Sequence, residues 1–149
     1  MKRMLALLLA VLLFVSVASA ETVVEDVVAV LETAYSDAFD YYNLRFDVEE
    51  STLYVDVAID GFAENMYALK EIGVDSTNES WNQIKGMLLT IYQSSVSVFE
   101  VCEVEAPEHI FLQLWNDDVA IRNDHTTGKS RILLAIHNGM FYIDEMEVH

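Results

Sequence analysis

Residues 43–59 read NLRFDVEESTLYVDVAI, and they alternate. Leu44, Phe46 and Val48 stand against Asn43, Arg45 and Asp47; after Glu50-Ser51, Leu53, Val55, Val57 and Ile59 stand against Tyr54, Asp56 and Ala58. A period of two sends successive side chains to opposite faces of a strand. A connection over residues 49–52 sets Val48 opposite Leu53, Phe46 opposite Val55 and Leu44 opposite Val57. The large apolar groups then share one face, so the stretch predicts a β-hairpin with one side turned to a core.

Upstream, Thr22 and Glu25 have capping-box spacing. Val24, Val27, Val28, Leu31, Ala34, Tyr35 and Ala38 follow at helical spacing, which predicts an amphipathic helix over roughly residues 22–39. Downstream, Asp60-Gly61 ends the hairpin, and a short helix is expected around residues 62–71, stopped by Gly73. Ser76 and Glu79 form a second capping-box pattern, opening a long helix. Its stripe is Trp81, Ile84, Leu88, Ile91, Ser95, Val98 or Phe99, and Cys102, and Pro107 closes the segment. The period then returns to two. Ile110 to Trp115 reads as a strand, and Arg131 to His137 joins Met140 to Asp144 through Asn138-Gly139. Asn-Gly between apolar runs suits a type I′ turn, whose central residues both need positive φ. It pairs Ile136 with Phe141 and Leu134 with Ile143. The expected fold is α+β, order α-β-β-α-α-β-β-β, with a mainly antiparallel sheet and helices packed on one face.

The segments DAFDYYNLRFDVEESTLYVDVAIDG (37–61), the Trp81 helix, and FLQLWNDD (111–118) with RILLAIHNGMFYID (131–144) resemble small exported domains of Gram-positive bacteria without an assigned activity. The resemblance covers most of the chain after residue 20. It implies an extracytoplasmic compartment and this fold, and it carries no catalytic residues.

The amino terminus gives the same compartment. Lys2 and Arg3 precede an unbroken apolar run from Leu5 to Val15, and Ala18-Ser19-Ala20 has the small-x-small pattern of signal-peptidase sites. Residues 1–20 are expected to be a cleaved signal peptide and residues 21–149 a single secreted domain. An uncleaved anchor is the alternative, but the run is marginal for the roughly 20 apolar residues of a spanning helix. Cleavage leaves 25 acids against 6 bases, a formal charge of −19, which disfavours nucleic acid and anionic membranes and favours cationic partners. Sixteen aromatic residues and one Pro exclude a disordered composition. Cys102 is the sole cysteine, so packing without an internal disulfide must hold the domain.

Most catalytic patterns are missing. Gly128-Lys129-Ser130 mimics the end of a phosphate-binding loop, but Asn123 stands where its first Gly is needed and a strand follows. No G-x-S-x-G elbow is present. Cys102 falls on the buried helical stripe, which keeps a thiol protonated and unsuited to work with His109. His109, His125, His137 and His149 are widely spaced and read as scattered surface residues. Asp56, Asp60, Glu64, Asp117 and Asp118 offer acid pairs, yet a glycosidase needs two carboxyl groups with split pKa values across a cleft.

Three weaker patterns remain. Asn116, Asp117, Asp118 and Asp124, with Asn123, form an oxygen-rich segment that suits calcium, though without EF-hand spacing; such residues also form ordinary turns. Arg122, Lys129 and Arg131 gather three of the six bases, as an anion contact or as local neutralisation of the neighbouring acids. Tyr41, Tyr42 and Tyr54 surround the first hairpin, as an interface or as cover for a sheet edge. The reading is a secreted, acidic, non-catalytic binding module that meets a protein or envelope component through its sheet, with no cofactor unless calcium binds. The alternatives are a small acid-dependent hydrolase and a secreted inhibitor or immunity-type protein.

Overall fold

A computed structural model describes residues 23–119, 121 and 129–147. The expected signal segment, Thr22, Arg122, Asn123, Asp124, His125 and His149 lie outside them. Among the described residues three main helices, α1 (Val24–Ala38), α2 (Phe62–Glu71) and α3 (Glu79–Val101), accompany five strands, β1 (Tyr41–Asp47), β2 (Thr52–Ala58), β3 (His109–Trp115), β4 (Ile132–His137) and β5 (Met140–Asp144). The fold is α+β in the order expected. Among the described residues no helix is long and apolar enough to cross a membrane.

The sheet runs β1-β2-β3-β4-β5 in space as in sequence. Three junctions are antiparallel, and β2 and β3 are parallel, because α2 and α3 return the chain to the starting end of β2. Leu53, Val55 and Val57 of β2, Ile110, Leu112 and Leu114 of β3, and Leu134 and Ile136 of β4 join one core with Leu31 and Tyr35 of α1 and Leu88, Val98 and Phe99 of α3. The helices therefore cover one face. Tyr35 and Ser95 link α1 to α3 through hydroxyls 2.7 Å apart.

Several local expectations shift. The first hairpin pairs Phe46 with Leu53 and Leu44 with Val55, two residues from the register expected, which preserves the face of every side chain. The cause is Asp47, whose Oδ1 accepts from the backbone N–H groups of Glu49 and Glu50 and starts the turn early. Ser51 completes the turn at φ 46°, and Val48 is left 68% exposed.

Helix α1 is capped one residue later than expected. Val23 occupies the N-cap, and its N–H donates to Asp26 rather than to Glu25. At α3 the cap is Asn78, not Ser76. Asn78 Oδ1 accepts from Ser80 and Trp81 N–H, while Asp75 takes both the N–H and the hydroxyl of Thr77 and holds the preceding residues in a turn. Those bonds hold the Asp75 carboxyl below the usual carboxylate range. In the last hairpin Ile136 faces Phe141 as expected, but an irregularity between Ala135 and Ile136 sets Asp144, not Ile143, opposite Leu134. Asp144 thereby reaches α3, where its carboxylate accepts from the Trp81 indole at 2.9 Å and from Lys85 at 2.7 Å.

Candidate functional site

The face of the sheet opposite the helices carries two rows of side chains. The pairing registers align Arg45, Tyr54, Phe111 and His137 across β1 to β4, and beside them Asn43, Asp56, Gln113 and Ala135.

The first row is a stack. The Arg45 guanidinium lies 4.2 Å above the Tyr54 ring. Tyr54 stacks on Phe111 at 5.3 Å and 9°, and Phe111 stacks on His137 at 4.2 Å and 3°. Tyr142 of β5 closes the row edge-on to Phe111, with ring centroids 5.9 Å apart and planes at 79°. Neighbouring strands lie about 4.8 Å apart, so rings from paired positions fit face to face and stand on edge above the sheet. Both faces of Tyr54 and of Phe111 are covered by their neighbours in the row, whereas Tyr142 is exposed.

The second row is polar and is stitched to the first. Gln113 donates to the Tyr142 hydroxyl at 2.8 Å and accepts from the Trp115 indole at 3.2 Å. Arg131 lies 5.6 Å over the Trp115 ring. Asn43 donates to Asp56 Oδ2 at 3.3 Å. The other oxygen, Asp56 Oδ1, is buried with no hydrogen-bond partner among the described residues, and the Trp115 N–H donates to Gln113. Burial pushes the Asp56 carboxyl above the usual carboxylate range, against the opposing pull of Asn43, Trp115 and Arg45.

The tyrosine trio divides. Tyr54 stands in the stack, Tyr41 is exposed opposite Ala58 on the edge strand, and Tyr42 packs toward the core opposite Val57. Of the basic trio, Arg131 reaches this face, and Lys129 lies 5.0 Å over Tyr67 of α2.

The oxygen-rich segment has structural work. Asp117 accepts from Gly61 N at 2.8 Å and Ala63 N at 2.9 Å, so it caps α2 from a distant part of the chain. Asn116 is buried; it accepts from Asp118 N and donates to the Ser130 carbonyl. Among the described residues no group of three or more His, Cys, Asp or Glu is arranged for a metal ion.

Cys102 is free and half-buried against the core, whereas His109 lies in register with the outer face, so this thiol and imidazole are kept apart. A groove of about 450 Å³ also opens between α2 and α3, lined by Phe62, Met66, Leu69, Trp81, Ile84 and Met146 among others.

His109 and His137 were expected to be scattered. The β3–β4 register instead sets them diagonally across two strands, with His137 Nε2 3.2 Å from His109 Nδ1. Two signals could have found the pair: the alternation of His109, Phe111, Gln113 and Trp115 on one side of β3, and the turn that fixes His137 beside Asn138.

Comparison of the chain with protein-family models, with curated proteins and with solved structures finds no match. The chemistry of the sheet face opposite α1 and α3 is therefore the basis for a functional reading.

Proposed function

We propose that this chain is an exported, non-catalytic binding domain that presents the sheet face opposite α1 and α3 to a flat, basic protein surface. The observation that carries the reading is the on-edge stack from Arg45 to Tyr142. Sugars and nucleobases bind aromatic side chains by lying on ring faces. Here the faces of Tyr54 and Phe111 are occupied, which favours a broad partner that meets ring edges and polar tips. Aromatic residues with a polar end are enriched at protein interfaces for this reason. The excess of 25 acids over 8 bases supplies the complementary charge and speeds encounter with a cationic surface. Removal of residues 1–20 would release the domain outside the cytoplasm, where it would act as an inhibitor, an immunity-type protein or an envelope-associated binder.

Asp56 supports a second reading, a small acid-dependent hydrolase, because its carboxyl is held toward the protonated form on an accessible face. A second acid is what this reading needs. Asp60 lies in the turn beyond the end of β2, not beside Asp56 in the rows of the outer face, and a glycosidase needs its two carboxyls ~5–9.5 Å apart across a cleft.

The test uses the chain from Glu21 onward, immobilised and exposed to culture medium and envelope extract. A partner retained by the native chain and by Ile72→Lys, on the exposed end of α2, but released by Tyr142→Lys and Arg45→Glu supports the proposal. Equal retention by the face variants overturns it, as does turnover on a glycan or peptide panel that Asp56→Asn abolishes.

A further inference from the structure

We infer that His109 and His137 form a two-point site for a divalent transition metal of the zinc, nickel or copper group, independently of the partner reading. Two imidazole nitrogens bound to one tetrahedral zinc, each at ~2.05 Å, stand about 3.3 Å apart. His137 Nε2 and His109 Nδ1 are already 3.2 Å apart. In the metal-free protein these nitrogens share a proton, one donating and the other accepting. A cation takes the proton's place when the donor ring shifts its hydrogen to its outer nitrogen, so that both neutral rings turn lone pairs inward. The rings are tilted by 45°, and χ2 of an exposed histidine is soft, so a modest turn of His109 converges the two lone pairs.

The rest of the pair is held in place before any ion arrives. His137 is stacked on Phe111 at 3°, which fixes its ring plane. Asn138 clamps the backbone on both sides of His109: its Oδ1 accepts from Ile110 N at 2.9 Å, and its Nδ2 donates to the Glu108 carbonyl at 2.9 Å. His109 N also donates to the Ser51 carbonyl at 3.2 Å. A site whose supporting contacts are already made loses less order on binding. The acidic surface adds to this by raising the local concentration of cations.

Two protein ligands leave the remaining coordination positions to water or to a side chain from outside the chain. Such a site prefers imidazole-loving metals over calcium or magnesium, which select oxygen.

The experiment is calorimetric titration of zinc into the chain from Glu21 onward, paired with NMR of the histidine ring nitrogens. One zinc per chain is expected, with the rings of His109 and His137 shifting together, and His109→Gln weakening the affinity at least tenfold. His137→Gln should do the same, but its ring is part of the stack, so the exposed His109 is the deciding position. Undiminished affinity in His109→Gln, ring shifts confined to His125 or His149, or no binding by the native chain would each overturn the site.

Discussion

Tyr35 is fully buried, and its hydroxyl has one partner, Ser95. Ser95 spends its own proton on the Ile91 carbonyl, so Tyr35 must be the donor. Burial pushes the Tyr35 phenol up to about 12. Removing either side chain's hydroxyl therefore has unequal consequences. Tyr35→Phe deletes a bond and leaves Ser95 its own, costing about 1 kcal/mol, whereas Ser95→Ala strands a buried donor and costs about 1–3 kcal/mol. The double variant should lie well below the sum of the two. The phenol also sets an alkaline limit. A raised folded-state pKa means that its stability contribution is complete below the unfolded value near 10 and is lost as pH rises toward 12. The loss amounts to roughly 2–3 kcal/mol. Denaturant titrations at pH 8 and pH 11 check both statements: the native chain should weaken at pH 11 by more than Tyr35→Phe does. An equal response would remove Tyr35 as the cause.

At the scale of elements, Asp117 shows what sequence spacing leaves hidden. Helix α2 begins after Gly61, whose φ of 69° has no side chain to object, and Gly61 offers no capping oxygen. The cap comes instead from Asp117, 56 residues away from Gly61. Asp117→Ala should cost about 1–2 kcal/mol, as loss of an N-cap does, while Glu105→Ala, at an exposed position between α3 and β3, should stay within about 0.5 kcal/mol. Urea unfolding of the two variants tests this, and equal costs would refute the capping role. Periodicity placed most elements, since burial on one face writes itself into the sequence as 3.6 or 2, while Asp60-Gly61 and Gly73 bounded α2 and Asn138-Gly139 joined β4, buried on both sides, to β5. Caps and registers depended on single side-chain bonds. Asp47 moved the first turn, Asn78 took the start of α3 from Ser76, and the irregularity at Ala135 put Asp144 within reach of Lys85.

For the whole molecule, the sheet's outer face was the least legible feature. Tyr54, Phe111 and His137 lie on three strands, and their stack exists only because the β2–β3 and β3–β4 registers agree. No local window holds that information. Asp56 was visible as one acid among 25, but its unpartnered oxygen was not. The parallel junction was likewise absent from short-connection reasoning, which sees hairpins and misses crossovers.

That junction also orders events in time. From Thr52 to Val57, each β2 residue pairs with one 57 positions further on, Thr52 with His109 for instance, while β4 and β5 meet across Asn138-Gly139. Closing a loop of roughly 50 residues rather than 4 costs about 2 kcal/mol more chain entropy before any contact offsets it. The two hairpins can form early, and the domain must wait for the crossover helices to bring them together. Pulse-labelled hydrogen exchange during refolding should thus find amides of β4 and β5 protected ahead of those bridging β2 and β3. Simultaneous protection across the sheet would show that the crossover is no bottleneck. Until that step completes, the nascent chain would carry two unpaired strand edges, and the speed of crossover closure would decide how long they stay open to other copies.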